Sequence, residues 1–163
     1  KDALGIAAGI HEMIRNADMY YMANYAQTVN VIGAIKTNKT DAAFATTGLA
    51  LKLYRNRFGT IPVGIEGDFF PLDVSAAWTE DRKTLTIGVV NPMRREVSLP
   101  VDFVGDWTPG AGTRYLITGP DAMSYNEPGK RPRVAIEESP VEKIGDTLVV
   151  PPLSISIFAL EER

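Results

Sequence analysis

Residues 22–31, Met-Ala-Asn-Tyr-Ala-Gln-Thr-Val-Asn-Val, form an apolar stretch interrupted by uncharged polar side chains. Such a run is typical of a buried strand in a parallel sheet, which normally contains Val, Ile, Leu and Ala. The amides of Asn24, Gln27 and Asn30 therefore each need a hydrogen-bond partner or a ligand. The stretch predicts a buried strand that ends at a site. Spacing alone leaves open whether Gln27 and Asn30 bind a ligand or bond to neighbouring backbone.

Helical patterns flank the predicted strand on both sides. Residues 2–15 place Ile6, Ile10 and Met13 at the i, i+4 and i+7 positions of one helix face. A second helix is expected over about residues 41–57. Its predicted apolar face consists of Phe44, Gly48, Leu51, Tyr54 and Phe58. Helix, strand, loop and helix form the unit of a parallel α/β architecture, and one unit cannot close a sheet, so we expect the missing units upstream.

From residue 60 onward the hydrophobic period changes from helical to alternating, which indicates a second domain. Short strands separated by Gly, Pro and Asp turns, with turns roughly every ten residues, predict an antiparallel β-sandwich of the jelly-roll or Greek-key kind. We expect the clearest strands, at residues 84–90, 97–103 and 153–160, to bury one face each, and the strands at residues 75–78, 84–90 and 97–103 to form a meander. The expected strands lie at residues 60–65, 75–78, 84–90, 97–103, 114–118, 133–137, 146–150 and 153–160.

Composition excludes several classes of partner. Seventeen basic and twenty acidic residues in a chain of 163 give a formal charge of −3, so we expect neither nucleic acid nor a membrane surface as partner. The absence of cysteine excludes disulfides and thiolate metal sites; it agrees with a cytoplasmic location, but many secreted bacterial proteins also lack cysteine, so localisation stays open. The chain begins at Lys1 without an initiator Met or a signal-peptide pattern, and we expect it to belong to a longer polypeptide.

His11 and Glu12 begin like the His-Glu-x-x-His zinc helix, but Arg15 stands where the second imidazole would be. His11 is also the only histidine, which excludes a multi-histidine metal site and a Ser-His-Asp triad built from this chain alone. We therefore predict that His11 packs between elements or bonds across them, and we expect no metal and no cofactor.

Two further features have a catalytic or binding interpretation and a structural one. Asn126-Glu127-Pro128 matches the way many glycosidases present an acid/base carboxylate, but here Gly and Pro residues flank it among sandwich strands, so we predict a loop. Trp78 and Trp107 could stack on a sugar ring. Because their spacing does not align them on one face, we predict packing in a core.

A long, ordered set of segments resembles the α-L-arabinofuranosidases of glycoside hydrolase family 51. The segments lie at residues 2–4, 7–12, 15–18, 22–31, 73–80, 85–92, 126–128 and 151–155. In that family they belong to the end of a (β/α)8 barrel and to the β-sandwich that follows it. The resemblance implies that residues 1–59 are the last helix, strand and helix of the barrel and that residues 60–163 are a C-terminal sandwich of jelly-roll type.

The resemblance also implies an activity, namely exo-acting, retaining removal of terminal arabinofuranosyl residues from arabinan or arabinoxylan-type glycans. Retention uses two carboxyl groups about 5 Å apart. In the family both glutamates precede the helix on which this chain starts, so we assign no catalytic residue here. The glutamine of the family's Ala-Gln-x-Val-Asn motif reaches the sugar, which implies a substrate contact for Gln27, with Asn30 helping to shape the same strand end.

The partners implied are the upstream segment of the same enzyme, the arabinofuranosyl glycan and further copies in a homo-oligomer. The alternative is a non-catalytic β-sandwich module that binds polysaccharide or a partner protein, with the two helices as an appendage. Exposed apolar surface on the two helices would favour a missing barrel. We favour the enzyme segment, because a free-standing module has no use for a buried polar strand between two helices.

Overall fold

The computed structural model describes residues 1–142 and 144–163. Within them lie two helices and ten strands. The elements are α1 (Asp2–Arg15), β1 (Ile35–Thr37), β2 (Ala42–Phe44), α2 (Thr46–Arg57), β3 (Ile61–Val63), β4 (Asp73–Trp78), β5 (Thr84–Asn91), β6 (Val97–Pro100), β7 (Pro109–Ile117), β8 (Ile136–Val141), β9 (Thr147–Val150) and β10 (Ser154–Glu162). Neither helix of this part of the chain is long and apolar enough to cross a bilayer.

A six-stranded antiparallel sheet with the order β3-β4-β5-β10-β7-β8 forms the centre of the fold. Strand β10 lies in its middle, where Ile157 is opposite Gly88 of β5 and Tyr115 of β7. Successive side chains of a strand point to opposite faces, and β10 has apolar residues on both. Ile155 and Ile157 therefore pack on one side of the sheet, and Phe158 packs on the other.

The two helices cover one face of this sheet and a two-stranded sheet covers the other. On the helical side, Ala7 of α1 and Leu53 of α2 share a core with Ile157. On the opposite side, Leu148 of the β6–β9 pair packs with Leu160. The chain on either side of residue 59 thus contributes to one continuous core beneath the helices.

The mainly antiparallel architecture is confirmed, but two predictions about the strands are wrong. Strands β5 and β10 are buried on both faces, since helices and the β6–β9 pair sandwich them. The meander is interrupted, because β10 occupies the free edge of β5 and β6 pairs with β9 instead. The buried Asn91 side chain donates to the carbonyl oxygens of Arg95 and Pro151 at 2.9 and 2.8 Å, which fixes the turn that takes the chain from one sheet to the other.

The first helix has the predicted bounds, but a different face is buried. Ala3, Ala7 and His11 are the buried residues of α1, whereas Met13 of the predicted face is exposed. Small alanine side chains let the helix axis approach the sheet closely. Ile6 and Ile10 pack beside this contact and are partly buried.

The second helix begins at Thr46, later than predicted, because residues before it form a hairpin. Strand β2 pairs with β1, with Ile35 opposite Phe44 and Thr37 opposite Ala42. Phe44 is exposed and Leu51 is half-buried. The buried residues of α2 are Thr47, Gly48, Leu49, Ala50, Leu53 and Tyr54.

Residues 22–31 do not form the predicted buried strand in this structure. Val29 makes one parallel bridge to Ile35, and most of the stretch is exposed. A strand requires neighbours that satisfy its backbone N–H and C=O groups. Among the described residues, the Val29–Ile35 bridge is the one strand-like pairing of this stretch, so most of it is a loop.

Candidate functional site

The loop that contains Gln27 connects α1 to β1. We call residues 19–32 the Gln27 segment. The Gln27 side chain is exposed, and the Gln27 carbonyl oxygen accepts a hydrogen bond of 3.1 Å from the N–H of Ala34. The carbonyl oxygen of Ala34 in turn accepts from the N–H of Ala45, the N-cap of α2, at 2.9 Å. The backbone at Gln27 is therefore tied to the start of α2 while its carboxamide faces outward.

Asn30 has a different role from Gln27. Its Nδ2 donates to Oγ1 of Thr37 at 2.9 Å, and its Oδ1 accepts from the N–H of Thr37 at 2.8 Å. Of the two interpretations left open by the spacing, Asn30 bonds to neighbouring backbone and stabilises the turn that leads into β1. The outward carboxamide of Gln27 has both a donor and an acceptor available for a polar ligand.

Large apolar side chains of the Gln27 segment are exposed. Tyr21 is 97% exposed and Val31 is 82% exposed. Met19, Met22 and Ile32 of the same segment are also exposed. Several large apolar side chains exposed on one short segment indicate contact with another polypeptide or a ligand. The Gln27 segment therefore combines one polar contact group with an apolar surface that lacks a cover within the described residues.

A fully buried imidazole joins three elements of the fold. Nδ1 of His11 in α1 lies 2.6 Å from Oδ1 of Asp73 in β4, and its Nε2 lies 2.5 Å from the hydroxyl of Tyr54 in α2. The Asp73 carboxylate also accepts from the guanidinium of Arg15 at 3.0 and 3.2 Å. We call His11, Arg15, Tyr54 and Asp73 the His11 cluster. The interelement hydrogen-bonding role predicted for His11 is confirmed.

Burial and hydrogen bonding set the charges in the His11 cluster. Burial lowers the pKa of His11 below 6.5, against the raising effect of Asp73, so the ring is neutral at pH 7. Burial alone would raise the pKa of Asp73, but hydrogen bonds from His11 and Arg15 outweigh it and lower that pKa to about 2. Neutral His11 thus donates from Nδ1 to a carboxylate and accepts at Nε2 from the Tyr54 hydroxyl, whose own pKa is raised by burial.

An Asp–His–hydroxyl array is also the arrangement that activates nucleophiles in hydrolases. Here it is enclosed, since His11 is fully buried and Tyr54 is 6% exposed, so the hydroxyl is out of reach of a substrate. Gly88 of β5 makes room for the array, because a Cβ atom there would lie 2.6 Å from Nε2 of His11 and 3.2 Å from the Tyr54 hydroxyl. The cluster therefore fastens both helices to the sheet.

The sequence pattern singles out His11 but does not indicate its partners Tyr54 and Asp73. Those partners lie 43 and 62 positions away, and side-chain periodicity gives no information on such pairings. One local signal was present in Gly88, which interrupts the apolar strand Leu85–Val90. An isolated glycine in a strand often marks close approach of another group.

The Asn126-Glu127 motif lies in a loop, as predicted. Asn126 is buried, donates to the carbonyl oxygen of Val134 at 2.8 Å and accepts from the Val134 N–H at 3.0 Å. It also donates to the carbonyl oxygen of Phe44 in β2 at 3.2 Å. Glu127 pairs with Lys130 at 2.7 Å on the surface. Asn126 thus organises the loop, and the carboxylate of Glu127 is held in a surface ion pair.

Trp78 and Trp107 contact each other, which their spacing did not indicate. Their rings meet edge to face with centroids 5.2 Å apart, and Phe103 packs on Trp107 at 5.4 Å. All three lie against the core between the two sheets. The predicted packing role is confirmed in preference to a flat sugar-stacking platform.

Comparison with known proteins gives a consistent result. A family model described as the α-L-arabinofuranosidase C-terminal domain matches residues 1–154. A probable α-L-arabinofuranosidase C from Aspergillus flavus is 31% identical over 156 residues, which cover 85% of this chain and 30% of that protein.

Solved structures agree in fold. The thermostable family 51 α-L-arabinofuranosidase of Thermotoga petrophila superposes with a TM-score of 0.83 at 25% identity. An α-L-arabinofuranosidase of Thermotoga maritima, solved as an arabinose complex, gives 0.83 at 26% identity. Each match covers 98% of this chain and 38% of the solved chain. The chain thus spans about a third of the length of the relatives it matches.

Proposed function

Because the chain belongs to the family of α-L-arabinofuranosidase C-terminal domains, we propose that it is the C-terminal segment of a family 51 glycoside hydrolase. The enzyme removes terminal arabinofuranosyl residues from arabinan or arabinoxylan-type glycans by a retaining, exo-acting mechanism. Its two catalytic glutamates lie on the upstream segment. This chain contributes a sugar contact and the sandwich that braces it.

The observation that supports this proposal most is the exposed apolar surface around Gln27. In the proposed enzyme, α1, the Gln27 segment and α2 are the last helix, strand and helix of a (β/α)8 barrel, and residues 60–163 are a sandwich of jelly-roll type. Residues 22–31 pair with neighbouring barrel strands, which satisfy their backbone groups and cover Tyr21 and Val31. The alternative, a free-standing module, would leave this surface in water.

Gln27 is suited to hold a furanose in such a site. Its carboxamide donates to one hydroxyl and accepts from another, so it orients the ring without adding a charge beside the two carboxylates. At the carboxyl end of a barrel strand it would lie on the face where active sites of this fold are built. The backbone bond from Ala34 to Gln27 holds the strand end in place.

Reconstitution of the enzyme tests the proposal. The chain alone should release no p-nitrophenol from p-nitrophenyl α-L-arabinofuranoside, because both catalytic glutamates of the proposed enzyme lie on the upstream segment. Joined to its upstream segment it should hydrolyse this substrate, and release arabinose from arabinan or arabinoxylan. Hydrolysis by the chain alone, or none by the joined enzyme while arabinan binds tightly to residues 60–163, would overturn the proposal in favour of the module.

A further inference from the structure

Gly48 lies in the first turn of α2, against the backbone of Ala34. A Cβ atom at position 48 would overlap the carbonyl oxygen of Ala34, and would lie 3.0 Å from the carbonyl carbon of Ala34 and 3.1 Å from Cδ1 of Phe44. Gly48 is buried, so the space is filled by backbone that cannot rotate away as a flexible side chain would. The absence of a side chain is what allows Ala34 to rest on the helix.

Ala34 is the residue that holds the backbone at Gln27. Its N–H donates to the carbonyl oxygen of Gln27 at 3.1 Å, and its carbonyl oxygen accepts from Ala45 at 2.9 Å. Moving Ala34 away from α2 therefore breaks or lengthens both bonds. The position of Gln27 thus depends on how closely Ala34 approaches Gly48.

Helix α2 is itself fixed to the sandwich below. Two turns beyond Gly48, the Tyr54 hydroxyl lies 2.5 Å from Nε2 of His11, which bonds to Asp73 of the sheet. A continuous set of contacts therefore runs from β4 through His11 and α2 to Ala34 and Gln27. The contacts at the His11 end are buried, and the other end is the exposed carboxamide of Gln27.

We propose that Gly48 is a positioning residue for the sugar site: its missing side chain seats Ala34 on α2, and Ala34 sets the position of the Gln27 carboxamide toward the arabinofuranosyl ring. This inference rests on the proposed function, since it assigns Gln27 the sugar contact. Gly48 itself does not touch the substrate. Its effect on catalysis passes through Gln27.

The test compares Gly48→Ala with Gly9→Ala, because both replace a helical glycine. A Cβ atom at Gly9 meets no other atom within 4 Å, so Gly9→Ala controls for helix propensity alone. In the chain, amide hydrogen exchange at Ala34 and Ala45 should be at least tenfold faster in Gly48→Ala, and within twofold of the parent in Gly9→Ala. Unchanged exchange in Gly48→Ala overturns the inference.

Kinetics of the intact enzyme distinguish positioning from general damage. Gly48→Ala should lower kcat/KM for the p-nitrophenyl arabinofuranoside about tenfold, as should Gln27→Ala. When Gly48→Ala is added to Gln27→Ala, kcat/KM should fall by less than a further twofold. The Gln27→Ala change has already removed the carboxamide that Gly48 positions. Losses that multiply in the double variant would overturn the route through Gln27.

A second variant covers the case in which Gly48→Ala fails to fold. Ala45→Pro removes the N–H that bonds Ala34, and the φ of −62° at Ala45 suits proline. It should reproduce the faster exchange at Ala34 and the nonadditive loss with Gln27→Ala. Hydrogen exchange could rise in both Gly48→Ala and Ala45→Pro while Gln27→Ala keeps full activity. In that case Gly48 does seat Ala34 on α2, but Gln27 does not contact the sugar, and the proposed role of Gln27 is wrong.

Discussion

Nδ1 of His11 lies 2.6 Å from Oδ1 of Asp73, a contact that joins α1 to β4 across 62 positions of sequence. The opposite side of the same ring bonds to Tyr54 of α2. A single buried imidazole therefore connects both helices to the sheet of the sandwich. In the proposed enzyme, this contact joins the end of the barrel to the C-terminal sandwich.

Removing the Tyr54 hydroxyl should weaken the fold. In Tyr54→Phe, Nε2 of His11 loses its donor in a buried environment, which costs about 1–3 kcal/mol in the free energy of unfolding. Urea denaturation measures the change. Tyr25→Phe is the matched control, because its hydroxyl bonds to the carbonyl oxygen of Ile32 in an exposed setting and should matter little. Equal stability of Tyr54→Phe and the parent would show that the His11–Tyr54 bond adds nothing.

The lone imidazole makes the pH dependence measurable by NMR. Burial lowers the pKa of His11 below 6.5, so below this pH the unfolded chain binds more protons than the folded one. The free energy of unfolding should therefore fall as the pH drops through 6.5 toward the folded pKa. A further fall is expected between pH 3.8 and about 2, where Asp73 is protonated. A His11 resonance that titrates at or above pH 6.5 would contradict the neutral, enclosed ring.

Two glycine-to-alanine replacements should distinguish the cost of a steric clash from the gain in helix propensity. Gly88→Ala places a Cβ atom 2.6 Å from Nε2 of His11, so it should lower the free energy of unfolding by about 1–3 kcal/mol. Gly9→Ala meets open space in α1 and should raise it by about 0.5–1 kcal/mol. Thermal and urea unfolding of both variants measure the difference. A Gly88→Ala variant as stable as Gly9→Ala would mean that the cluster relaxes without cost.

Asn126 and Glu127 should differ sharply when replaced. Asn126→Ala leaves the N–H and carbonyl oxygen of Val134 without their partner and should cost about 2 kcal/mol in the free energy of unfolding. Glu127→Ala removes a surface pair and should leave both the urea midpoint and the activity of the intact enzyme unchanged. A loss of turnover in Glu127→Ala with normal stability would instead point to catalysis by this carboxylate.

Sequence patterns predicted elements well where the apolar repeat was strong. Leu85, Ile87 and Val89 alternate through β5, and α1 has its predicted bounds at Asp2 and Arg15. The same patterns could not give the order of strands, because β10 pairs with β5 over a long stretch of intervening chain. The central strands β5 and β10 are buried on both faces, because the helices cover one side of the sheet and the β6–β9 pair covers the other. The residues of a strand do not reveal that distant elements will pack on its second face.

The candidate site was predicted only in part. Gln27 was identified from an apolar stretch and from a family resemblance, and its contact with sugar stays a prediction. The strand assigned to residues 22–31 fails because hydrogen-bonding neighbours, not composition, make a strand. The helical pattern places Gly48 on an apolar face, but its contact with Ala34 depends on backbone geometry that the sequence does not reveal.

Steady-state kinetics of Gln27→Ala in the intact enzyme test the central claim most directly. Thr28→Ala is the matched control, since successive side chains of the proposed barrel strand point to opposite faces. We predict that kcat/KM for p-nitrophenyl α-L-arabinofuranoside falls about tenfold or more in Gln27→Ala, which corresponds to about 1.4 kcal/mol of lost transition-state binding, and stays within twofold in Thr28→Ala. Parental kinetics in Gln27→Ala would contradict the claim that this chain supplies a sugar contact to the active site.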